Sequence, residues 1–295
     1  MDAVYIITTA SLFAISCSLL GCFLILRRMA MVGDAISHAV LPGIVLAFLV
    51  SGSRDSMQMI LGAALLGVFT TFLIEFFHKK ARLQTDAAIG VTFTWLFALG
   101  VILISVYAGQ VDLDQECVLY GEIAYVPIDL WITEGGQILG PRALYVSAFI
   151  LLINLLFLGL AYRFLHLTTF DPAYAASIGI SIALWNYLLM GAVSMTTVAA
   201  FDSVGAILVV ALFVVPPATA YLLTDKLKYM MGISVLISIL ISILGYYLAV
   251  AIDGSIAGAI VSVAGVGFML AFLFSPRQGV LRSRKKGAVK WSEVS

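Results

Sequence analysis

Long, nearly uninterrupted apolar runs set the pattern of this chain, and neither strict alternation nor one-sided helical stripes compete with them. Nine runs stand out: Val4–Leu26, Gly33–Val50, Met57–Phe77, Ala87–Ala108, Ala143–Tyr162, Ile178–Ala200, Val204–Leu223, Tyr229–Ile252 and Gly254–Phe274. About 20 apolar residues in helical form cross a hydrocarbon layer ~30 Å thick. Lipid offers no hydrogen-bond partner to exposed backbone, so runs of this length read as helices. The pattern predicts an all-α, polytopic membrane protein with eight or nine transmembrane helices. Gly33–Val50 is the weakest of them, being short and interrupted by Asp34, His38 and Pro42. Asp253-Gly254 is a tight turn between the last two. The semi-apolar stretch Val118–Trp131, broken by Gly121, Glu122 and Pro127, is expected at the membrane interface. Residues 1–276 then form one transmembrane domain and 277–295 a basic tail. The start, Met1-Asp2-Ala3, lacks the basic segment of a cleaved signal peptide.

Composition agrees, with 62% hydrophobic and 11% charged residues, where a soluble domain is nearer half apolar and a quarter charged. Charge adds a direction. With Arg27-Arg28 placed in the cytoplasm, strict alternation puts fourteen of the sixteen Lys and Arg on that side, leaving Arg54 and Arg142 outside. This is the sense of the positive-inside rule, and it places the C-terminus in the cytoplasm. Ten of the sixteen acids fall on or near the outer side, either as a negative mouth that draws in cations or as ordinary solvated loop acids. The formal net charge of zero argues against nucleic-acid binding. Three cysteines, Cys17, Cys22 and Cys117, form no C-x-x-C pair and suggest neither a disulfide framework nor a zinc site.

The stretch Gly33-Asp34-Ala35-Ile36-Ser37-His38-Ala39-Val40-Leu41-Pro42-Gly43 is the most informative. Four residues apart on a helix, Asp34 and His38 share one face, a turn from each other. Pro42 has no N–H, so the His38 carbonyl loses its helical partner, and Gly43 permits a close helix approach. A carboxylate, an imidazole and a freed carbonyl on one interrupted helix suit a divalent cation or a proton. Ionisable groups inside a membrane are expensive and usually functional. The alternative is that Asp34 caps the helix and His38 is a buried, hydrogen-bonded residue. Carboxylate with imidazole suits Mn(II), Fe(II) or Zn(II), and without clustered Cys or Met it does not suit Cu(I). Asp202, between two runs, is a further ligand or gate acid, or else an N-cap. Asp112, Asp114 and Glu116, in the outer loop after Ala87–Ala108, either funnel cations or are plainly solvated. His78 and His166 read as interfacial anchors. In Asp171-Pro172-Ala173-Tyr174-Ala175-Ala176-Ser177-Ile178-Gly179, Asp171 caps a short helix with Pro172 at its first position and Gly179 at its end. Such a surface helix either seats in a groove of another protein or merely connects two spans. Pro216-Pro217 kinks the run that contains it. No G-x-x-x-x-G-K-[ST] phosphate loop occurs, so any ATPase is a separate chain.

Taken together, these blocks resemble the permease subunits of the manganese/zinc/iron ABC importer family, over roughly residues 4 to 279. The resemblance also rests on Asp86-Ala87-Ala88-Ile89-Gly90, Phe97-Ala98-Leu99-Gly100, Leu119-Tyr120-Gly121, Val204-Gly205-Ala206-Ile207-Leu208-Val209, Pro216-Pro217-Ala218-Thr219-Ala220 and Phe274-Ser275-Pro276. It implies the fold of a type II-like ABC importer permease in the cytoplasmic membrane. Its expected partners are two cytoplasmic ATP-binding subunits, a second permease subunit (identical or paralogous), an extracytoplasmic metal-binding protein and membrane lipid. It implies that Asp34 and His38 line the metal path, and that Asp171, Pro172, Ala173, Ala175, Ala176 and Gly179 belong to the helix coupled to the ATPase. Mn2+, Zn2+ or Fe2+ is then the substrate, with no permanently bound cofactor and no enzymatic activity in this chain. The rival expectation is a secondary, ion-coupled metal transporter. That architecture calls for interrupted helices in corresponding positions of two repeats, and only one clear motif-bearing interruption is present.

Overall fold

The computed structural model describes residues 2–51, 56–107, 123–132 and 138–275. Its long helices fall on the nine apolar runs. They are α1 (Asp2–Leu26), α2 (Val32–Ser51), α3 (Ser56–Lys80), α4 (Thr85–Tyr107), α5 (Arg142–Phe170), α7 (Ile182–Val204), α8 (Ala206–Leu223), α9 (Leu227–Ile252) and α10 (Ile256–Phe274), with a short α6 (Pro172–Ser177) between α5 and α7. Counted on the described residues alone, seven of them, α1, α4, α5, α7, α8, α9 and α10, are long and apolar enough to cross a membrane.

The interior is built around α1, whose Phe13, Leu20 and Phe23 are fully buried. It packs against α5, α8 and α9, and α10 closes over α8 and α9. A second group forms where α2 lies between α3 and α4. α7 joins the two groups, touching α3 and α2 on one side and α5 and α1 on the other. The outside is apolar, as lipid requires. Leu152, Leu156 and Leu160 on α5 and Leu236, Leu240 and Leu244 on α9 form exposed rows at helical spacing. Polar residues turn inward instead, and Asn154 of α5 donates to Ser16 Oγ of α1 (3.3 Å) and Thr196 Oγ1 of α7 (2.8 Å). With no hydrophobic force between helices in lipid, such bonds and close glycine contacts do the joining. A Cβ on Gly43 of α2 would stand 2.7 Å from the Gly62 carbonyl of α3, and one on Gly245 of α9 would stand 2.5 Å from Ile260 Cα of α10.

Several boundaries differ from the sequence reading. The run expected over Ile178–Ala200 starts later, at Ile182, because Gly179 turns with φ +81° and the Ser181 hydroxyl caps Leu184 N–H. It also ends later, at Val204. The break before α8 is Gly205, at φ +82°, a conformation that Cβ disfavours. Asp202 therefore lies in the last turn of α7, and is neither between helices nor an N-cap. α5 runs to Phe170 and so carries Arg163 and His166 on helix. The stretch expected at the interface holds a 3-10 turn, Ile123–Tyr125, whose Ile123 is buried where the turn meets α1 and α10. A small antiparallel hairpin of β1 (Leu130–Ile132) and β2 (Ile138–Pro141) follows and was not anticipated. Asp253 turns between α9 and α10 at φ +52°, as Asp-Gly predicts.

Candidate functional site

Asp34 is the third residue of α2, inside its first turn, where a carboxylate is favoured by the helix dipole. Its Oδ1 lies 3.5 Å from His38 Nε2 on the next turn, so the two groups face each other. Neither is sealed in, since their side chains are 27% and 36% exposed respectively. The imidazole sits among rings of α4, with Phe93 tilted and Phe97 edge-on, both at 5.8 Å between centroids. Sequence reading passed over Phe93, although its i,i+4 spacing from Phe97 was the available signal. Those rings shield one side of the imidazole and leave the side toward Asp34 polar.

The backbone around the pair is fixed from three directions. Ile36 packs beside Gly67 of α3, where any Cβ would collide with Ser194 Oγ of α7. Gly33 lies against the Phe213 ring of α8. Pro217, four residues beyond Phe213, removes the N–H that the Phe213 carbonyl would otherwise accept from. That carbonyl instead presses on Gly21 of α1, the close approach a side chain would forbid. The stretch of α8 just before its two prolines is thus packed directly on α1 and on the turn that carries Asp34. Pro42, inside α2, removes the partner of the His38 carbonyl in the same way.

Below this level, at the ends of the helices bearing most of the Lys and Arg, Arg27 ties three elements together. It lies just past α1 and donates to Thr168 and Thr169 of α5 (2.9 Å each) and to Asn186 Oδ1 of α7. Burial lowers its pKa to about 10, so it remains cationic at neutral pH. The sequence reading used Arg27 only as a topology charge. Its partners lie some 140 to 160 residues away, and nothing local signals them.

Asp171 caps α6 through Oδ1, which accepts from Tyr174 N–H at 3.0 Å, and Pro172 occupies the first helical position. Ala175 is buried, while Ala173 and Ala176 are exposed. Gly179 N–H closes on the Ala176 carbonyl at 3.1 Å. Tyr174 on α6, Phe170 at the end of α5 and Ile178 just past α6 are all about half exposed. Asp112, Asp114 and Glu116 lie outside the described residues. Asp202 stands in the last turn of α7. Among the described residues, no three His, Cys, Asp or Glu side chains come together as a metal cage. The Asp34–His38 pair therefore brings together one carboxylate and one imidazole, partly exposed, which is not the closed cage of a structural metal site.

The model of the ABC 3 transport family matches residues 3–275. The manganese transport system membrane protein MntD of Bacillus subtilis is 50% identical over 280 residues, covering 95% of this chain and 94% of that protein. The zinc transport system membrane protein TroD of Treponema pallidum is 46% identical, covering 94% and 75% respectively. Among solved structures, PsaBC from Streptococcus pneumoniae in complex with Fab superimposes with a TM-score of 0.76 at 31% identity, over 95% of this chain and 94% of that one. A chain so matched along nearly its whole length, with helices built to cross a membrane, belongs to the ABC 3 transport family and is a permease of the manganese, zinc and iron ABC importer type.

Proposed function

We propose that this chain is the membrane-embedded half of an ATP-driven importer of a divalent transition metal, with manganese the first candidate and zinc and iron behind it. The observation that carries this reading is the partly exposed carboxylate–imidazole pair Asp34–His38, 3.5 Å apart on an interrupted helix. Manganese is favoured by the half-identical relative named for it and by oxygen and imidazole donors without clustered thiolates. Asp34 and His38 hold the cation briefly, and water fills the rest of its shell. Two ligands bind weakly enough for release. Asp202, on the last turn of α7, serves as a further acid near the outer end.

Hydrolysis takes place on separate ATP-binding subunits. Their seat is α6, where exposed Tyr174, with Phe170 and Ile178 flanking the helix in sequence, supplies the apolar contact. A second permease copy, identical or paralogous, completes the channel. An extracytoplasmic metal-binding protein delivers the ion on the acid-rich side, where Asp112, Asp114 and Glu116 attract it. The protein resides in the cytoplasmic membrane among lipid, its C-terminus in the cytoplasm, and keeps no permanent cofactor.

The test is reconstituted uptake of radioactive Mn2+ by the complete transporter, with Zn2+ and Fe2+ as competitors. Asp34→Ala and His38→Ala each lower uptake by about tenfold or more, the loss that goes with a metal ligand or its support. Wild-type uptake by both variants would remove the site assignment. Uptake that proceeds without ATP would favour the ion-coupled carrier.

A further inference from the structure

The chain has three histidines, His38, His78 and His166, and two of them stand one helical turn from a carboxylate. One such pair is Asp34–His38. The other is Glu75 and His78 on α3, at i,i+3, which places them on one face. Both line a cavity of about 220 Å3 at the end of the bundle that holds Arg27. The remaining walls include Arg27 and Met29 in the link before α2, Lys79 of α3, Thr85 of α4, and Asn186 and Met190 of α7, so two cationic side chains face the same space. α3 backs α2 at Gly67 beside Ile36. Eight residues further along α3, about 12 Å at helical rise, comes Glu75. Thr71 and Ile74, between these two levels of α3, also line the cavity, and His78, one turn beyond, is exposed.

The chemistry of the pair is arranged for a cation. His78 Nδ1 lies 2.8 Å from the Leu83 carbonyl. A carbonyl only accepts, so Nδ1 carries a proton toward Leu83, and Nε2 is the ring nitrogen left for another partner. Histidines that bind metals are commonly oriented by this kind of second hydrogen bond. Glu-x-x-His on a helix facing a bundle interior is a recurrent metal-binding arrangement. Glu75 is engaged by Lys79 in an i,i+4 ion pair and by the Tyr187 phenol of α7. Lys79 is itself mostly exposed, so a divalent ion can displace it from the carboxylate and it can return when the ion leaves.

We infer that Glu75 and His78 form a second carboxylate–imidazole station, through which the transported divalent cation leaves the membrane toward the cytoplasm, with Lys79 competing for Glu75 to keep that station weak. This rests on the metal-import reading and extends it to the exit. The sequence of ligands is then Asp34–His38 on α2, the cavity, and Glu75–His78 on α3. Each stage offers the same two donor types, so the ion changes partners without losing its preferred chemistry. The terminal Lys79 ammonium biases it outward from the protein.

The test uses the complete transporter in proteoliposomes. Glu75→Gln and His78→Gln each lower Mn2+ uptake by about tenfold, the scale of losing one metal ligand or its support. His78→Cys keeps a ligand but softens it, and it shifts the Mn2+-to-Zn2+ uptake ratio several-fold toward Zn2+. A histidine with only a packing role would lower both ions alike. Lys79→Gln raises the affinity of the purified transporter for Mn2+, read by the electron paramagnetic resonance of the free ion, and slows turnover. Wild-type uptake by Glu75→Gln and His78→Gln, or an unchanged ion ratio in His78→Cys, overturns the exit station. If Asp34→Ala still abolishes uptake in that case, the import reading survives and only this inference falls. If Asp34→Ala is silent as well, both fall.

Discussion

At the scale of single residues, glycines decide how closely the helices meet. Gly21 lies beneath the Phe213 carbonyl that Pro217 has freed, and a Cβ there has nowhere to go because the obstacle is backbone. Gly90 on α4 has nothing within 4 Å of the same position. Gly21→Val should therefore destabilise the detergent-solubilised protein by about 1–3 kcal/mol, the range for overpacking a tight site. Gly90→Ala should stay within about 0.5 kcal/mol of wild type, or gain slightly from helix propensity. Thermal unfolding of the two variants side by side checks both, and equal melting temperatures would contradict the packing described. Some of this is legible in the sequence. Pro217 announces a freed carbonyl and Asp34-x-x-x-His38 a shared face, because each is a matter of local covalent geometry. That the carbonyl would find Gly21, or that Arg27 would find Asn186, is decided by tertiary packing far along the chain.

At the scale of elements, α6 shows how local chemistry can specify a structure too short to persist alone. Its Asp171 cap, Pro172 start and left-handed Gly179 end were all readable, since each acts on its own or neighbouring backbone. The end of α7 was not, because a polar Asp202 looked like a boundary while the conformation of Gly205 leaves no mark in the sequence. The β1–β2 hairpin escaped for a different reason: strands of three and four residues carry no usable period. Tyr174 is the exposed aromatic residue of this element. Tyr174→Ala should weaken co-purification with the ATP-binding subunits by about tenfold or more, as truncating an interface aromatic does. It should leave the melting temperature of the permease unchanged, because the ring touches solvent more than protein. Undiminished co-purification would argue that α6 is only a connector.

At the scale of the whole molecule, charge asymmetry and helix grouping together define direction. Cys17 and Cys22 are buried in α1, so in a Cys117→Ser background a newly placed cysteine reports its own side of the membrane. A membrane-impermeant maleimide added to intact cells should label Asp253→Cys, in the turn between α9 and α10. It should leave Lys226→Cys, between α8 and α9, untouched until the cells are opened. The reverse pattern would invert the orientation and carry α6 to the wrong side for any ATPase.

The five residues between α1 and α2 have a mechanical consequence. Arg27 moors this link to the ends of α5 and α7, and Met29 N–H and Arg28 N–H both bond back to the last turn of α1, so it has little slack. α2 therefore starts from a fixed point, and in any tilt about it α2 must move together with α3, which meets it at Gly43 and Gly62. The 20 residues of α2 reach about 30 Å at helical rise. A rigid tilt of about 10° around that point would swing the far tip by about 5 Å yet shift Asp34 by only about half an ångström. Such a tilt would displace the far end of α2 while the turn that carries Asp34 stayed almost still.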